Sequence, residues 1–83
     1  MENKIKIAGY ITEQPGYAIF GTGKTAEAAL ENAKEWSDAG RTEGFVTYPA
    51  TAALLAKVED EGGAISFSIV DGIACTNDEA DMN

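Results

Sequence analysis

The sequence IKIAGYITEQPGYAIFGTGKTAEAALENAKEW (residues 5–36) sets the architecture of this chain. Three isoleucines at positions 5, 7 and 11, with Gly9 in the same row, alternate with Lys6, Ala8 and Tyr10, which is the period-2 pattern of a strand with one face against a core. Pro15-Gly16 suits the two central positions of a type II turn. We therefore expect residues 17–20 to return as the second strand of a β-hairpin.

A helix is predicted directly after this hairpin. Thr25 is a suitable N-cap because its hydroxyl can accept a hydrogen bond from a free backbone amide, and Gly40 suits the left-handed position after the last turn. An apolar stripe at helical spacing contains small side chains, which favours close packing on a sheet. The stripe consists of Ala26, Ala29, Leu30, Ala33 and Trp36.

The middle of the chain predicts a strand followed by a second helix. Residues 45–48 are a short buried-strand candidate, and Pro49 fits the first turn of a helix. Gly62-Gly63 would end that helix, since glycine is common where a helix stops.

The last third predicts two more strands and a tail. Residues 65–70 alternate between apolar and polar, and Asp71-Gly72 is a hairpin-turn signal before a short closing strand over residues 73–75. The order is ββαβαβ(β), so we expect a small α+β sandwich over residues 1–75, with a mixed or antiparallel sheet and two helices on one face. Residues 76–83 are polar and acidic and are predicted to be a flexible tail.

The composition of the 83 residues excludes several classes of function. Fourteen acidic against six basic residues give a net charge of −8, which argues against direct nucleic-acid binding because phosphates would be repelled. The chain contains no histidine, so histidine bases, triads and zinc ligands are excluded. The single cysteine, Cys75, allows no internal disulfide and indicates a reducing compartment. With no apolar run of about 18 residues, we expect a soluble cytoplasmic protein and no membrane contact.

The stretch GTGKT (residues 21–25) resembles the end of a phosphate-binding loop because it lies between a strand and a helix. That motif requires a glycine five residues before Gly23, where Ala18 stands. A glycine-containing turn that caps a helix explains the stretch, and we expect no nucleotide or other cofactor.

Residues suited to catalysis or metal binding are sparse. The clusters Glu59-Asp60-Glu61 and Asp78-Glu79-Ala80-Asp81 contain carboxylates, but neither has the spacing of a calcium loop. No carboxylate pair is placed by its spacing for acid–base work, and Cys75 has neither a histidine partner nor a nearby base. We therefore predict no metal site and no enzymatic activity.

Acidic charge is concentrated in the second half of the chain. Residues 1–42 contain six acids and five bases, whereas residues 43–83 contain eight acids and Lys57 alone as a base. The run Glu59-Asp60-Glu61 ends the predicted second helix, where each exposed carboxylate costs about 0.3–1 kcal/mol against the helix dipole. Two interpretations stay open: an acidic surface for a basic partner, or a solubilising face.

One stretch resembles a known family. Residues 16–20 (GYAIF) followed by residues 25–35 (TAEAALENAKE) resemble the hairpin–helix unit of HicB-type antitoxins. Between Phe20 and Thr25 the chain lacks the family's Pro-Asp-Leu-Pro-Gly segment and third meander strand, and no DNA-binding helix-turn-helix or ribbon-helix-helix follows. The resemblance implies toxin neutralisation, and it does not imply the family's operator binding.

In size, single-domain build and acidity the chain is also similar to small phage or plasmid inhibitors, such as anti-CRISPR and anti-restriction proteins. Many of these present carboxylates where a nuclease expects phosphates. We therefore predict a non-enzymatic inhibitor that occupies a basic surface on a protein of a nucleic-acid-handling complex. Its predicted partner-binding residues are Glu59, Asp60, Glu61, Asp78, Glu79 and Asp81.

Two alternatives use other parts of the chain. An antitoxin-like module would neutralise a small ribonuclease through the hairpin–helix half, near Tyr17 and Glu31. A structural or accessory domain would instead self-associate, as a homodimer, through an unpaired sheet edge.

Overall fold

The computed structural model describes residues 5–15, 17–36 and 44–82, with the backbone alone for Trp36. The described residues form five strands and three helices, which confirms the α+β class. In chain order they are β1 (Gly9–Gln14), β2 (Ala18–Gly23), α1 (Ala26–Trp36), β3 (Val46–Ala50), α2 (Ala52–Glu61), β4 (Ser68–Val70), β5 (Ile73–Cys75) and α3 (Asn77–Met82).

The strands form one mixed sheet in the order β2-β1-β3-β5-β4. β1 is antiparallel to both β2 and β3, β4 is antiparallel to β5, and β3 is parallel to β5. A parallel pair requires a crossover connection, and α2 lies within the one that joins β3 to β5.

The β1–β2 hairpin is present as predicted, with a longer second strand. The amide of Tyr17 donates to the carbonyl of Gln14 at 3.0 Å and closes the turn; Gly16 of the predicted turn lies outside the described residues. Thr12 pairs with Gly21 and Glu13 with Ile19, so β2 contains one extra residue, a β-bulge, between those pairs.

Helix α1 begins at its predicted cap and packs closely on β2. The Thr25 hydroxyl accepts a hydrogen bond from the Ala28 amide at 3.0 Å. Ala29 and Ala33 are fully buried, and a Cβ at Gly21 would clash with the backbone of both alanines. The short distance between strand and helix therefore depends on small residues on both sides. Gly40, the predicted C-terminal glycine, lies outside the described residues.

Helices α1 and α2 cover opposite faces of the sheet, which corrects the expectation that both helices share one face. Gly21, which faces α1, pairs with Thr12, whereas a Cβ at Gly9 would lie 2.8 Å from a methyl group of Leu55 in α2. Gly9 and Thr12 point to opposite faces because side chains alternate along a strand. Ile11 and Thr12 are both fully buried, so β1 is a central strand with two covered faces.

The main core lies between the sheet and α2. It consists of buried residues from four strands and the helix, with partly buried neighbours around them. The buried members are Ile11, Ile19, Ala50, Leu54 and Ala74, and the partly buried ones are Tyr48, Leu55, Val58, Ile65 and Phe67. On the α1 face the hydroxyls of Thr12 and Thr47 form a hydrogen bond of 2.8 Å, which satisfies the buried threonine.

The start of α2 differs from the prediction, whereas its end agrees with it. Pro49 lies in β3, and Thr51 caps the helix by accepting from the Leu54 amide at 3.2 Å. The strand extends to Ala50 because that residue pairs with both neighbouring strands. Gly62 ends α2 with a φ of 88° and donates its amide to the Val58 carbonyl, as glycine does in the left-handed region.

The predicted strand over residues 65–70 is shorter than expected. Only Ser68–Val70 pairs in the sheet. The segment before it runs beside β2, because the amide of Ile19 donates to the carbonyl of Gly63 at 3.0 Å. The alternation of Ile65 and Phe67 therefore reflects packing onto the core without a strand.

Helix α3 occupies most of the segment predicted to be a flexible tail, which corrects the expected absence of structure after residue 75. Thr76 and Glu79 cap it reciprocally: the Thr76 hydroxyl accepts from the Glu79 amide, and the Glu79 carboxylate accepts from the Thr76 amide. The spacing Thr-x-x-Glu is the capping-box signature.

None of the helices in the described ranges combines the length and apolarity that a membrane crossing requires.

Candidate functional site

Glu59, Asp60 and Glu61, which we call the α2 acidic end, form the last three residues of α2. All three side chains are exposed, and none has a hydrogen-bond or ion-pair partner among the described residues. The last turn of α2 contains no basic residue. The carboxylates therefore lie uncompensated beside the free carbonyls of the helix, as the sequence predicted.

Glu79 has a different role from the predicted one. Its Oε1 accepts from the Thr51 hydroxyl at 2.6 Å and from the Thr76 amide at 3.0 Å. Thr51 is 2% exposed and is the N-cap of α2. One carboxylate oxygen thus joins the starts of two helices, so Glu79 serves the fold and we remove it from the candidate surface.

The two predicted acidic clusters do not lie together. The bond to Thr51 holds α3 at the beginning of α2, whereas the α2 acidic end lies ten helical residues away. At about 1.5 Å of rise per residue, this separates them by about 15 Å along the helix axis. Asp78 and Asp81 are exposed on α3 and form a separate patch.

A groove of about 610 Å³, which we call the edge groove, follows the outer edge of β2. Its walls come from β2, from α1 and from the segment around the end of α2. They include Phe20, Asn32, Val58, Glu59 and Ala64. Glu59 therefore belongs both to the α2 acidic end and to a groove with apolar walls.

Two backbone amides along this edge of β2 already donate hydrogen bonds within the molecule. The amide of Ile19 donates to Gly63, and the amide of Thr22 donates to Oδ1 of Asn32 at 3.0 Å. A sheet edge recruits another strand through free amides and carbonyls. These hydrogen-bonded amides argue against self-association through β2, and the homodimer predicted to form through an unpaired sheet edge stays a prediction.

A second cavity of about 380 Å³ lies at the turn end of the hairpin, and we call it the hairpin pocket. Glu13, Tyr17 and Ala18 line it on one side, and residues 65–67 with Ile69 line it on the other. Tyr17 is 77% exposed and Ile69 is 44% exposed. An aromatic ring and an isoleucine thus border a cavity that contains a carboxylate.

Glu13 continues a row of residues that face the core. Gly9, Ile11 and Glu13 share one face of β1, because side chains two apart point the same way. Among the described residues the carboxylate has no hydrogen-bond or ion-pair partner, and burial raises the pKa of Glu13. Sequence reasoning missed this residue, although an acid in an apolar row was the signal available.

The glycines of the phosphate-loop-like stretch are explained by packing. Gly21 and Gly23 lie in β2, not in a loop. A Cβ at Gly23 would lie 2.7 Å from the side chain of Ala28 and from the amide of Ala29. The stretch therefore holds α1 against the strand, and its glycines are needed for that contact.

Cys75 is a buried thiol at the end of β5. Burial, and secondarily the negative charge of Glu79, raises the pKa of Cys75. Because the thiolate is the reactive form, this environment disfavours nucleophilic chemistry. Within the described residues, no group of three potential metal-binding side chains comes together.

No family model, curated protein or solved structure matches this chain. The resemblance to HicB-type antitoxins and the likeness to small phage inhibitors therefore stay predictions from the sequence.

Proposed function

We propose that this chain is a non-enzymatic protein-binding module whose α2 acidic end docks on a basic surface of another protein. The observation that supports this proposal is that carboxylates without a partner among the described residues lie next to an apolar surface. Glu59, Asp60 and Glu61 are exposed without partners among the described residues, and Glu59 also lines the edge groove.

Charge and apolar surface have different functions in such an interface. Carboxylates accelerate encounter with a basic partner and orient it, whereas burial of apolar side chains supplies much of the affinity. The edge groove offers Phe20, Val58 and Ala64 beside the carboxylate of Glu59. A cationic partner would also compensate the repulsion between the acidic end and the helix dipole.

The proposed class of partner is a protein of a nucleic-acid-handling complex. Such proteins present lysine and arginine for phosphates, and a run of carboxylates can occupy the same surface. The net charge of −8 supports attraction to that surface and repulsion from nucleic acid itself. In this proposal the chain is an inhibitor of the anti-CRISPR or anti-restriction type, encoded by a mobile element.

The test is a capture experiment in host lysate with two variants of equal charge. The end variant combines Glu59→Gln, Asp60→Asn and Glu61→Gln. The control variant combines Glu27→Gln, Glu35→Gln and Asp71→Asn, which removes three exposed acids outside the predicted partner-binding residues. Captured proteins are identified by mass after washes at low and high salt.

We expect the parent and the control variant to capture the same basic, nucleic-acid-handling protein and to release it at high salt. The end variant should lose it. If both variants lose the captured protein equally, the loss is an effect of net charge alone. If the end variant retains the captured protein, the α2 acidic end is not part of the interface.

A second candidate function is antitoxin-like neutralisation of a small ribonuclease through the hairpin. The exposure of Tyr17, 77%, favours it, because a large ring at a hairpin turn is available to a partner. In that case Tyr17→Ala would lose the captured ribonuclease and the end variant would retain it.

A further inference from the structure

The hairpin pocket combines apolar walls with a carboxylate. Apolar side chains of Ile65, Phe67 and Ile69 form one wall, and Ile19 contributes from β2. Glu13 lines the same cavity. A protein that needed only a closed core would place an apolar residue at that position of β1, since a half-buried acid without a partner costs free energy.

The carboxylate of Glu13 is available to a ligand. It has no hydrogen-bond or ion-pair partner among the described residues. Tyr17, the other titratable side chain that lines the pocket, lies at its rim with an exposed ring. The remaining described groups that line the pocket are apolar side chains and the Ser66 hydroxyl, so none of the described groups is a cation that neutralises the acid.

We propose that the hairpin pocket binds an arginine side chain presented by a protein partner. Charge complementarity selects a cation, because the described residues that line the pocket include one carboxylate and no basic group. The proposal depends on the proposed function in one respect, namely that the partner is a basic protein, and it concerns a different surface from the α2 acidic end.

Arginine fits this pocket better than other cations of proteins. Its methylene stem can pack on Phe67 and Ile65, while two N–H groups of the planar guanidinium can bind both oxygens of Glu13. The exposed ring of Tyr17 offers a face for the cation. Lysine has a compact, strongly hydrated charge that gains less from a flat ring and a two-oxygen acceptor.

The pocket is large enough to admit an arginine side chain. The pocket measures about 380 Å³, near the lower end of the roughly 300–1,000 Å³ typical of small-ligand sites. It shares Ala18 and Ile19 with the edge groove. A partner segment that crosses these two residues would place an arginine at Glu13 while its neighbours approach Glu59.

The test is an NMR titration of the ¹⁵N-labelled full chain with N-acetyl-arginine amide. N-acetyl-citrulline amide, which has the same shape without the charge, is the matched ligand control. Glu13→Gln is the test variant, and Glu27→Gln, which removes an exposed acid from α1, is the matched protein control. Amide dispersion of each variant reports whether it is folded.

We expect arginine amide to shift the amide signals of Glu13, Tyr17 and residues 65–69, and citrulline amide to leave them unchanged. Glu13→Gln should weaken binding about tenfold, because it removes a charged hydrogen-bond acceptor. Glu27→Gln should bind as the parent does. As a second measurement, ¹³C titration of the Glu13 carboxyl should show its pKa lowered by arginine amide and not by citrulline amide.

Equal shifts from both ligands, shifts centred on Glu59–61, or unchanged binding by Glu13→Gln would overturn the proposal. The end variant used for capture should still bind arginine amide here. Failure of the capture experiment with success of the titration would refute the α2 acidic end alone, and the reverse pattern would refute the arginine pocket alone.

Discussion

At the scale of single residues, Glu13 stabilises the folded protein less than a neutral side chain would. Burial against apolar neighbours raises the pKa of Glu13 above its ordinary value of 4.5. A raised pKa means that the folded state binds the proton more tightly than the unfolded chain does. Its contribution to stability is therefore fully present below pH 4.5 and is lost as pH rises through the raised value.

We predict that Glu13→Gln is more stable than the parent at pH 7, and that the advantage shrinks as pH falls through the raised pKa of Glu13 toward 4.5. Urea unfolding at several pH values measures this difference. Glu35→Gln removes the same charge from an exposed site of α1 and controls for net charge. A stability advantage for Glu13→Gln that is independent of pH would contradict the prediction.

At the scale of elements, the charged residues of α1 complement its helix dipole, whereas those of α2 oppose its dipole. α1 has an acid, Glu27, in its first turn and a base, Lys34, in its last turn, and Lys34 pairs with Glu31 at 3.3 Å. α2 has no acid in its first turn and ends in three acids. The first arrangement favours the helix and the second opposes it.

We predict opposite effects of the same charge reversal on the two helices. Asp60→Lys at the end of α2 should raise the free energy of unfolding by about 0.3–1 kcal/mol, and Glu27→Lys at the start of α1 should lower it by a similar amount. Thermal unfolding at low salt measures both, and added salt should reduce both effects. Destabilisation by Asp60→Lys would show that the acidic end supports the helix.

The elements that sequence reasoning predicted well depend on local signals. Thr25 begins α1 and Gly62 ends α2 because a hydroxyl cap and a left-handed glycine act within one turn. Thr12 is fully buried because α1 packs on the far side of the sheet from α2. Such burial depends on tertiary packing, which the pattern of a single strand does not reveal.

The candidate site was predictable only in part, for the same physical reason. The position of Glu59–61 at a helix end follows from local sequence. The hairpin pocket brings Glu13 and Tyr17 beside Phe67 and Ile69, which are about fifty residues away along the chain. The role of Glu79 depends on Thr51. A partner so distant along the chain cannot be predicted from the residue spacing within one helix.

At the scale of the whole molecule, a small set of contacts joins the two parts of the sheet. β3 and β5 meet through the pair Ala50 and Ala74, and the amide of Thr51 donates to the carbonyl of Ala74 at 3.0 Å. The bond from Thr51 to Glu79 lies beside this junction. Helix α3 therefore belongs to the folded unit and stabilises the place where the sheet is least extensively paired.

We predict that a chain ending at residue 75 is less stable than the full chain, because the hydroxyl of Thr51, which is 2% exposed in the full chain, loses its acceptor Glu79. The point variant Glu79→Ala in the full chain should lower the free energy of unfolding by about 1–3 kcal/mol through the same lost bonds. Asp78→Ala, at an exposed neighbouring position, is the control. Urea unfolding measures all three, and equal effects of Glu79→Ala and Asp78→Ala would contradict the assigned role.

The occupied amides of β2 also matter when many copies are synthesised together. Ile19 and Thr22 already donate their amides within the molecule, so a neighbouring extended chain finds no donor at these positions. Fibril growth requires each new strand to add to a free edge. At high cellular abundance this edge of the sheet would therefore resist templated aggregation.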